Sequence, residues 1–401
     1  MNWRPADFIM GRTFEAIVNS SLSRFGDLPI PHDVPVVHAM GPDADRLLLI
    51  GTGVVRGLGL ASNELGLGGQ LARRLSPLTG RGVDIELAST TTLMLRQASG
   101  LLDGYDTGRF DAIIMLLGLR DATGLTSAKD WRRDMQHLLE VASRVPQVFV
   151  LSIPDFASYL EIPSFVKRAI RRRAARLNEE SRRLTAGFPG VEFVAFDPKH
   201  PDHYVRPGSV EVYEIFAEAM APAIAARLDP EVYAKRPSGS VSEKERQGAL
   251  DALGVIDTGS DQRIDQITQM ARDLLGASGA ALTFLDHDRQ WIKSAVAVSS
   301  DDMPRFDAFC NSTIANSRVF VVEDATKDAR FVEHPWVVGG ERVKFYAGYP
   351  IEAPEGVRVG ALCVVDTKAR RFSDAEASLL RDLALQVQAL LWSASKSRRT
   401  R

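Results

Sequence analysis

The chain has 401 residues, of which 45% are hydrophobic and 25% charged, a composition typical of a globular protein with room for two domains. Its formal net charge is −2, so composition gives no reason to expect nucleic-acid binding. No apolar run approaches the roughly 18 residues that a membrane-spanning helix needs. The two cysteines, Cys310 and Cys363, provide neither a disulfide framework nor a zinc-binding spacing. We therefore expect a reduced, cytoplasmic protein with no metal, membrane or nucleic-acid partner.

The first part of the chain consists of an extension followed by an alternating pattern. Residues 1–45 are expected to form an N-terminal extension with a helix, and residues 46–228 a first domain. In this domain short apolar runs alternate with segments whose apolar residues have helical spacing. The predicted strands are 46–50, 83–87, 111–117, 147–152 and 191–196. Strands that are apolar on both sides and alternate with helices indicate an α/β domain whose parallel sheet is covered on both faces.

A polar stretch separates this domain from a second one. Residues 229–242 include Pro230, Pro237 and several serines, which is the composition of a linker between domains. We place a second domain at residues 243–394 and a basic tail at residues 395–401.

The second domain has a different order of elements. Helices are predicted at 243–253 and 261–275, and Ser373 to Glu376 has the pattern of a capping box that opens a last helix. The predicted strands are 279–285, 291–298, 319–322, 343–351 and 357–366. Neighbouring hairpins flanked by helices indicate an α+β domain with an antiparallel sheet.

Successive blocks of this second domain resemble those of a GAF domain, in the same order. They are LGVIDT at 253–258, DRQWIKS at 288–294, FC at 309–310, VVEDA at 321–325, DARF at 328–331, FYAGYP at 345–350 and GALCVVD at 360–366. The resemblance implies a module that senses a small molecule or forms dimers and is commonly attached to a signalling output. It also implies a ligand cavity over the face of the sheet that the helices leave open.

Several residues in these blocks are candidates for lining that cavity. They are Trp291, Phe309, Cys310, Asp324, Phe345 and Tyr346. Aromatic residues at strand positions are equally typical of core packing, so each aromatic candidate has this second interpretation. Cys310 could be a redox or covalent ligand site, although a cysteine beside Phe309 is also typical of a small buried hydrophobe. The sequence does not identify the ligand or any cofactor.

The first domain resembles the SGNH (GDSL) hydrolases over residues 46–228. LLLIGTGVVRGLG at 47–59 resembles their first block, a strand that runs into Gly-Asp-Ser, and LLGLRD at 116–121 resembles the third, Gly-x-Asn-Asp. The resemblance implies a flavodoxin-like, three-layer fold. Gly53 stands at the serine position, Arg120 at the oxyanion-hole asparagine and Arg206 near the expected histidine. We therefore expect an SGNH-like domain without catalytic activity.

Other interpretations of the first domain remain open. An esterase or acyl hydrolase regulated by the GAF domain could use a relocated nucleophile such as Ser62 or Ser89. GTGVVRG at 51–57 nearly matches a dinucleotide-binding fingerprint, but its final spacing is off by one. HPDH at 200–203, with Asp197 nearby, contains imidazoles and carboxylates that could bind a metal. The expectation that covers most of these features is a signal-sensing protein that responds to a small molecule or a signalling partner.

The last helix predicts an assembly. Its apolar residues are Leu379, Leu380, Leu383, Val387, Leu390, Leu391 and Trp392. Four of them form one stripe, and Leu380, Leu391 and Trp392 lie beside it, so the apolar surface is wider than one contact needs. The pattern therefore predicts a homodimer through this helix, or else cover of the extra surface by the helix near Leu250 of the same chain.

Overall fold

The computed structural model describes residues 28–41, 43–90, 92–124, 126–198, 208–228, 241–299, 301–305, 308–340 and 342–399, together with Ile17 and Ser20. The side chains of Tyr159 and of residues 396–399 lie outside that description. The chain divides into two compact units, residues 1–39 with 44–237 and residues 40–43 with 238–401. Most of the predicted linker, residues 229–240, lies outside the described residues.

The first unit has a six-stranded sheet with helices on both faces. Its strands are β1 (Val36–Ala39), β2 (Asp45–Gly51), β3 (Val83–Ser89), β4 (Ala112–Leu116), β5 (Gln147–Leu151) and β6 (Val191–Val194). Its helices are α1 (Leu67–Thr79), α2 (Leu95–Leu102), α3 (Leu119–Thr123), α4 (Ala128–Ala142), α5 (Ser164–Thr185) and α6 (Val210–Ala225). The strand order is β1-β3-β2-β4-β5-β6, and β2 to β6 are parallel.

The sheet is mixed, which corrects the prediction of a purely parallel one. Strand β1 pairs with β3 in antiparallel register, and it comes from the segment predicted to be an extension. Only Val37 and Ala39 of its four residues are buried, so its apolar signal is too short to stand out in the sequence. The remaining order, β3-β2-β4-β5-β6, is that of a flavodoxin-like sheet.

Alternating residues of β2 pack into two separate hydrophobic cores, one on each face of the sheet. Leu48 and Ile50 pack with the layer formed by α2, α4 and α5. Leu47 and Leu49 pack with the layer formed by α1 and α6. Because successive side chains of a strand point to opposite faces, an apolar run through β2 is what a sheet covered on both sides requires.

The second unit has an antiparallel six-stranded sheet. Its strands are β7 (Gly279–Asp286), β8 (Arg289–Val296), β9 (Met303–Pro304), β10 (Phe320–Val322), β11 (Phe345–Glu352) and β12 (Arg358–Asp366). Its helices are α7 (Glu243–Leu253), α8 (Gln262–Leu274), α9 (Phe309–Ile314), α10 (Pro335–Val338) and α11 (Asp374–Arg399). The strand order is β10-β11-β12-β7-β8-β9, with every pair antiparallel, as predicted for this half.

The two faces of this sheet have different covers. The long helices α7, α8 and α11 pack on one face around Leu250, Ile264 and Leu383. Short α9 and α10 and their connecting loops pack on the other. The predicted capping box is present, since Glu376 accepts hydrogen bonds from the backbone N and Oγ of Ser373 at 2.8 and 2.7 Å.

The end of α11 packs within its own unit. Leu380 is fully buried and Leu391 is 5% exposed, both in the core on the helix-covered face. Trp392 Nε1 donates to the carbonyl of Glu352 at 2.8 Å, and Ser395 Oγ donates to that of Ala252, at the end of α7, at 3.2 Å. The expectation that Leu391 lies on a surface free for a second copy is therefore wrong, and α7 covers that part of the helix.

None of the described helices is both long and apolar enough to cross a membrane.

Candidate functional site

The candidate site lies on the loop-covered face of the second sheet. On β11, Phe345 points into the helix-covered core and Tyr346 into the other core. On β12, Cys363 shares the face of Tyr346. This division follows from the two-residue period of a strand, and it places one aromatic hydroxyl and one thiol beneath α9.

An aromatic stack fills this face. Phe309, the first residue of α9, stacks on Tyr346 with ring centroids 4.8 Å apart and on Phe331 at 4.5 Å. The imidazole of His334 lies 4.2 Å from the Phe309 ring. His334 Nδ1 accepts a hydrogen bond from the backbone N of Trp336 at 3.0 Å, which orients the ring at the start of α10. Phe309 is therefore the centre of a closed aromatic cluster.

A network of buried polar groups lies directly beside the stack. The Tyr346 hydroxyl is 2.6 Å from Thr313 Oγ1 and 3.4 Å from Cys310 Sγ. Thr283 Oγ1 donates to Cys310 Sγ at 3.0 Å. Cys363 Sγ donates to the carbonyl of Ala281 at 3.4 Å. Hydroxyls and thiols inside an otherwise apolar cluster can donate to a ligand or accept from one.

The ionisation of this network follows from burial and from the contact between the two thiols. Burial, with the nearby Cys310, raises the pKa of Tyr346 well above its ordinary value, so the phenol stays neutral. The hydrogen bond between the cysteines lowers the pKa of Cys310 and, together with burial, raises that of Cys363. Any negative charge in the pair therefore forms first on Cys310.

The six predicted ligand-binding residues fall into three places. Phe309, Cys310 and Tyr346 lie together in the cluster on the loop-covered face. Trp291 and Phe345 lie in the core beneath the long helices, on the opposite face.

Asp324 lies apart from both groups, in a turn, where it accepts from Thr326 Oγ1 at 2.6 Å and pairs with Lys327 at 2.8 Å. Thr283, Thr313 and His334 could not be identified from the sequence, because isolated hydroxyls and a loop histidine carry no periodic signal.

A shallow cavity of about 500 Å³ lies at the turn between β7 and β8, with Arg289 at its wall. Arg289 is paired with Asp257 at 3.0 Å, Asp286 at 3.0 Å and Asp302 at 2.9 Å. Because these three carboxylates already compensate its charge, Arg289 is poorly suited to bind an anionic ligand in this cavity.

The structure describes two of the three positions at which the first unit departs from the SGNH pattern that it resembles. Gly53 is buried in the turn after β2, and a Cβ there would lie 2.3 Å from Leu58 Cδ1. Arg120 is half-buried in α3. Arg206 and the candidate metal segment 200–203 lie outside the described residues; within the described part of the chain no metal-binding group of three or more side chains occurs.

The geometry of the described residues does not support the two alternatives for this unit, a relocated serine nucleophile and a dinucleotide-binding turn. Ser62 Oγ donates to Asp33 at 2.9 Å, and no hydrogen bond joins Ser62 or Ser89 to an imidazole of a described residue. The glycine-rich turn does not open a helix, as a dinucleotide fingerprint requires, because α1 begins only at Leu67. The sequence, however, contains the Asp-x-x-His spacing of the last SGNH block at Asp197 and His200. The expected histidine therefore corresponds to His200 and not to Arg206.

Comparison with known proteins identifies the second unit. The family description of the GAF domain matches residues 260–391, and this part of the chain is a GAF domain. Over 128 residues the chain is 38% identical to a cyclic di-GMP phosphodiesterase of Pseudomonas aeruginosa, which covers 32% of this chain and 22% of that protein. The chain therefore spans less than a quarter of that relative's length.

Two solved structures are similar to a part of the chain. The GAF domain of a phosphoenolpyruvate-protein phosphotransferase from Coxiella burnetii is 14% identical, with a TM-score of 0.31, over 39% of this chain and 99% of that one. The free methionine-R-sulfoxide reductase of Neisseria meningitidis, solved with its substrate, is 16% identical, with a TM-score of 0.30, over 40% of this chain and 96% of that one.

Proposed function

We propose that this chain is a regulatory protein whose GAF domain senses a small molecule on the loop-covered face, while the first unit is an SGNH-like binding domain without hydrolase activity. The GAF assignment supports the sensory role, since GAF domains are typically ligand-binding regulatory modules. The inactive first unit is supported by Gly53, where the family's nucleophile would stand.

The observation that carries the sensory role is the polar network inside the aromatic cluster. Tyr346, Thr313, Thr283 and Cys310 exchange hydrogen bonds with one another beneath α9. A cover made of a six-residue helix and loops is easier to displace than the long helices on the other face. A flat ligand that displaced Phe309 would stack on Tyr346 and take over the hydrogen bonds of these groups.

A thermal-shift screen of the full-length protein against metabolites and cyclic nucleotides tests this function. A compound that binds the folded GAF domain raises its melting temperature in a saturable way. For such a compound, Tyr346→Phe should weaken binding about tenfold, because one hydrogen bond of the network is lost.

Tyr349→Phe is the matched control, since it removes the same hydroxyl from the same strand but on the helix-covered face. It should leave the affinity unchanged. Equal weakening in both variants would place the ligand elsewhere, and a screen without any stabilising compound would contradict small-molecule sensing.

A further inference from the structure

The carboxyl ends of β2, β3 and β4 lie side by side in the first sheet, in a region that the proposed GAF ligand site does not include. Gly51, at the end of β2, pairs with Ser89 of β3 on one side and with Leu116 of β4 on the other. Neighbouring strands are about 4.8 Å apart, so Ser89 and Leu116 are about 10 Å apart across Gly51. The chain leaves β2 toward β3 and then crosses to β4 on the opposite side. At such a switch point the connecting loops diverge, which opens a crevice at the carboxyl ends of the strands.

Arg56 lies at this edge with an unsatisfied donor. Its backbone N donates to the carbonyl of Thr52 at 3.1 Å, in the turn that follows β2. Its Nη1 makes a long contact of 3.4 Å with the carbonyl of Ser89, so the guanidinium lies at the end of β3. The buried Nε has no hydrogen-bond partner among the described residues. A buried charged donor without a partner is costly, so a ligand that supplied an acceptor at this position would relieve that cost.

Arg120 comes to the same edge from β4. Gly118 begins the short helix α3 with φ +98°, and a Cβ there would lie 2.5 Å from Ile153 Cδ1. The conformation of Gly118 sets the direction in which the chain leaves β4 and enters the helix that carries Arg120. The side chain of Arg120 is half-buried, and no hydrogen bond or ion pair links its guanidinium to another residue in the described ranges.

The neighbouring acid does not neutralise Arg120. Asp121 is buried and accepts from the backbone N of Leu95 at 3.1 Å and from Thr126 Oγ1 at 2.9 Å. Burial raises the pKa of Asp121, and these hydrogen bonds of its carboxylate go to Leu95 and Thr126 and not to Arg120. Among the described residues, neither Arg56 nor Arg120 therefore has a carboxylate partner.

We propose that the crevice at the ends of β2, β3 and β4 binds the phosphate group of a small metabolite, with Arg56 and Arg120 as its charged ligands. A phosphate monoester carries nearly two negative charges at neutral pH, which matches two guanidinium groups better than a single carboxylate does. Arginine also presents its donors in a planar fork that fits two oxygens of one phosphate.

Titration of the full-length protein with inorganic phosphate, at constant ionic strength set with chloride, tests the site. We expect saturable binding, with slower hydrogen exchange in peptides that cover residues 51–59 and 116–124. Arg56→Gln and Arg120→Gln should each weaken binding about tenfold or more, because each removes a charge-assisted hydrogen bond. Arg183→Gln is the control, since Arg183 is an exposed residue of α5 that pairs with Glu179; it should bind phosphate like the wild type.

A second pair of readouts separates a binding role from a structural one. Without phosphate, Arg56→Gln should change the melting temperature little, because the guanidinium loses only its long 3.4 Å contact with the Ser89 carbonyl. Acetate should bind at least tenfold more weakly than phosphate. The site is refuted if phosphate binding does not saturate, if Arg120→Gln retains full affinity, or if acetate binds as tightly. Protection confined to GAF-domain peptides would also refute it, without bearing on the GAF proposal.

Discussion

At the scale of single residues, the proposed absence of hydrolase activity in the first unit depends on Gly53, which stands at the serine position of the SGNH resemblance. A side chain at this position would meet Leu58 Cδ1 at 2.3 Å, so Leu58 already occupies the space of a nucleophile. We expect the purified protein not to hydrolyse short acyl esters above background. Gly53→Ser should remain inactive, because Arg120 stands at the oxyanion-hole asparagine of the SGNH resemblance, and it should lose about 1 kcal/mol of unfolding free energy through overpacking. Ester turnover that an active-site phosphonate inhibits in the wild type would contradict this.

Asp45 predicts how the stability of the first unit depends on pH. Its carboxylate is 1% exposed and receives two hydrogen bonds from Arg81, each 2.9 Å long. Burial outweighs this ion pair and raises the pKa of Asp45 from 3.8 to about 6. The folded state therefore binds the proton more tightly than the unfolded state does. The stabilisation from protonation is complete below pH 3.8 and is lost as the pH rises through about 6, with an upper bound of roughly 3 kcal/mol.

Hydrogen exchange of β2 peptides, corrected for the intrinsic exchange rate, measures this effect. Protection should fall between pH 4 and pH 6 in the wild type, and Asp45→Asn should abolish that component. Glu243 of the GAF domain provides an internal contrast, because the hydrogen bond from Arg246 lowers its pKa to about 2. The stabilisation of the folded state by the Glu243 carboxylate is present above pH 4.5 and is lost as the pH falls toward 2. An identical pH slope in the Asp45→Asn protein would show that another group is responsible.

At the scale of elements, the sequence predicts those whose signal is local. The parallel strands appear as apolar runs because both faces are buried, and the capping box at Ser373 identifies the start of α11. Strand β1 was missed because only two of its four residues are buried. Its pairing with β3 depends on residues distant in sequence, which no local pattern reports.

The candidate site illustrates the same limit. The two-residue period of a strand already implies that Phe345 and Tyr346 face opposite ways, so one of the two could have been excluded from the start. Which of them shares a face with Phe309 depends on the packing of α9 on the sheet. The same limit applies to Leu391. A wide apolar surface on α11 predicts that something covers it, but the sequence does not say whether the cover is α7 or a second chain.

At the scale of the whole molecule, each unit has its own hydrophobic core. The first contains two clusters, one on each face of its sheet, and the second likewise. The division between the units falls after Pro237. A compact unit whose apolar residues are buried by its own elements is expected to fold alone. We therefore predict that fragments 1–237 and 238–401 are both soluble and each unfolds in one cooperative transition.

Chemical denaturation of the two fragments, followed by circular dichroism, measures this prediction. A control fragment cut after residue 340 separates β11 and β12 from the rest of the GAF sheet. This fragment should fail to fold. Strand β12 lies at the centre of the sheet between β11 and β7, and the cut removes it together with β11 from β7. The boundary is wrong if either predicted fragment loses cooperative unfolding, since the missing contacts must then come from the other side of the cut. Cooperative unfolding of both fragments would also permit the phosphate and GAF-ligand titrations to be repeated on each unit alone.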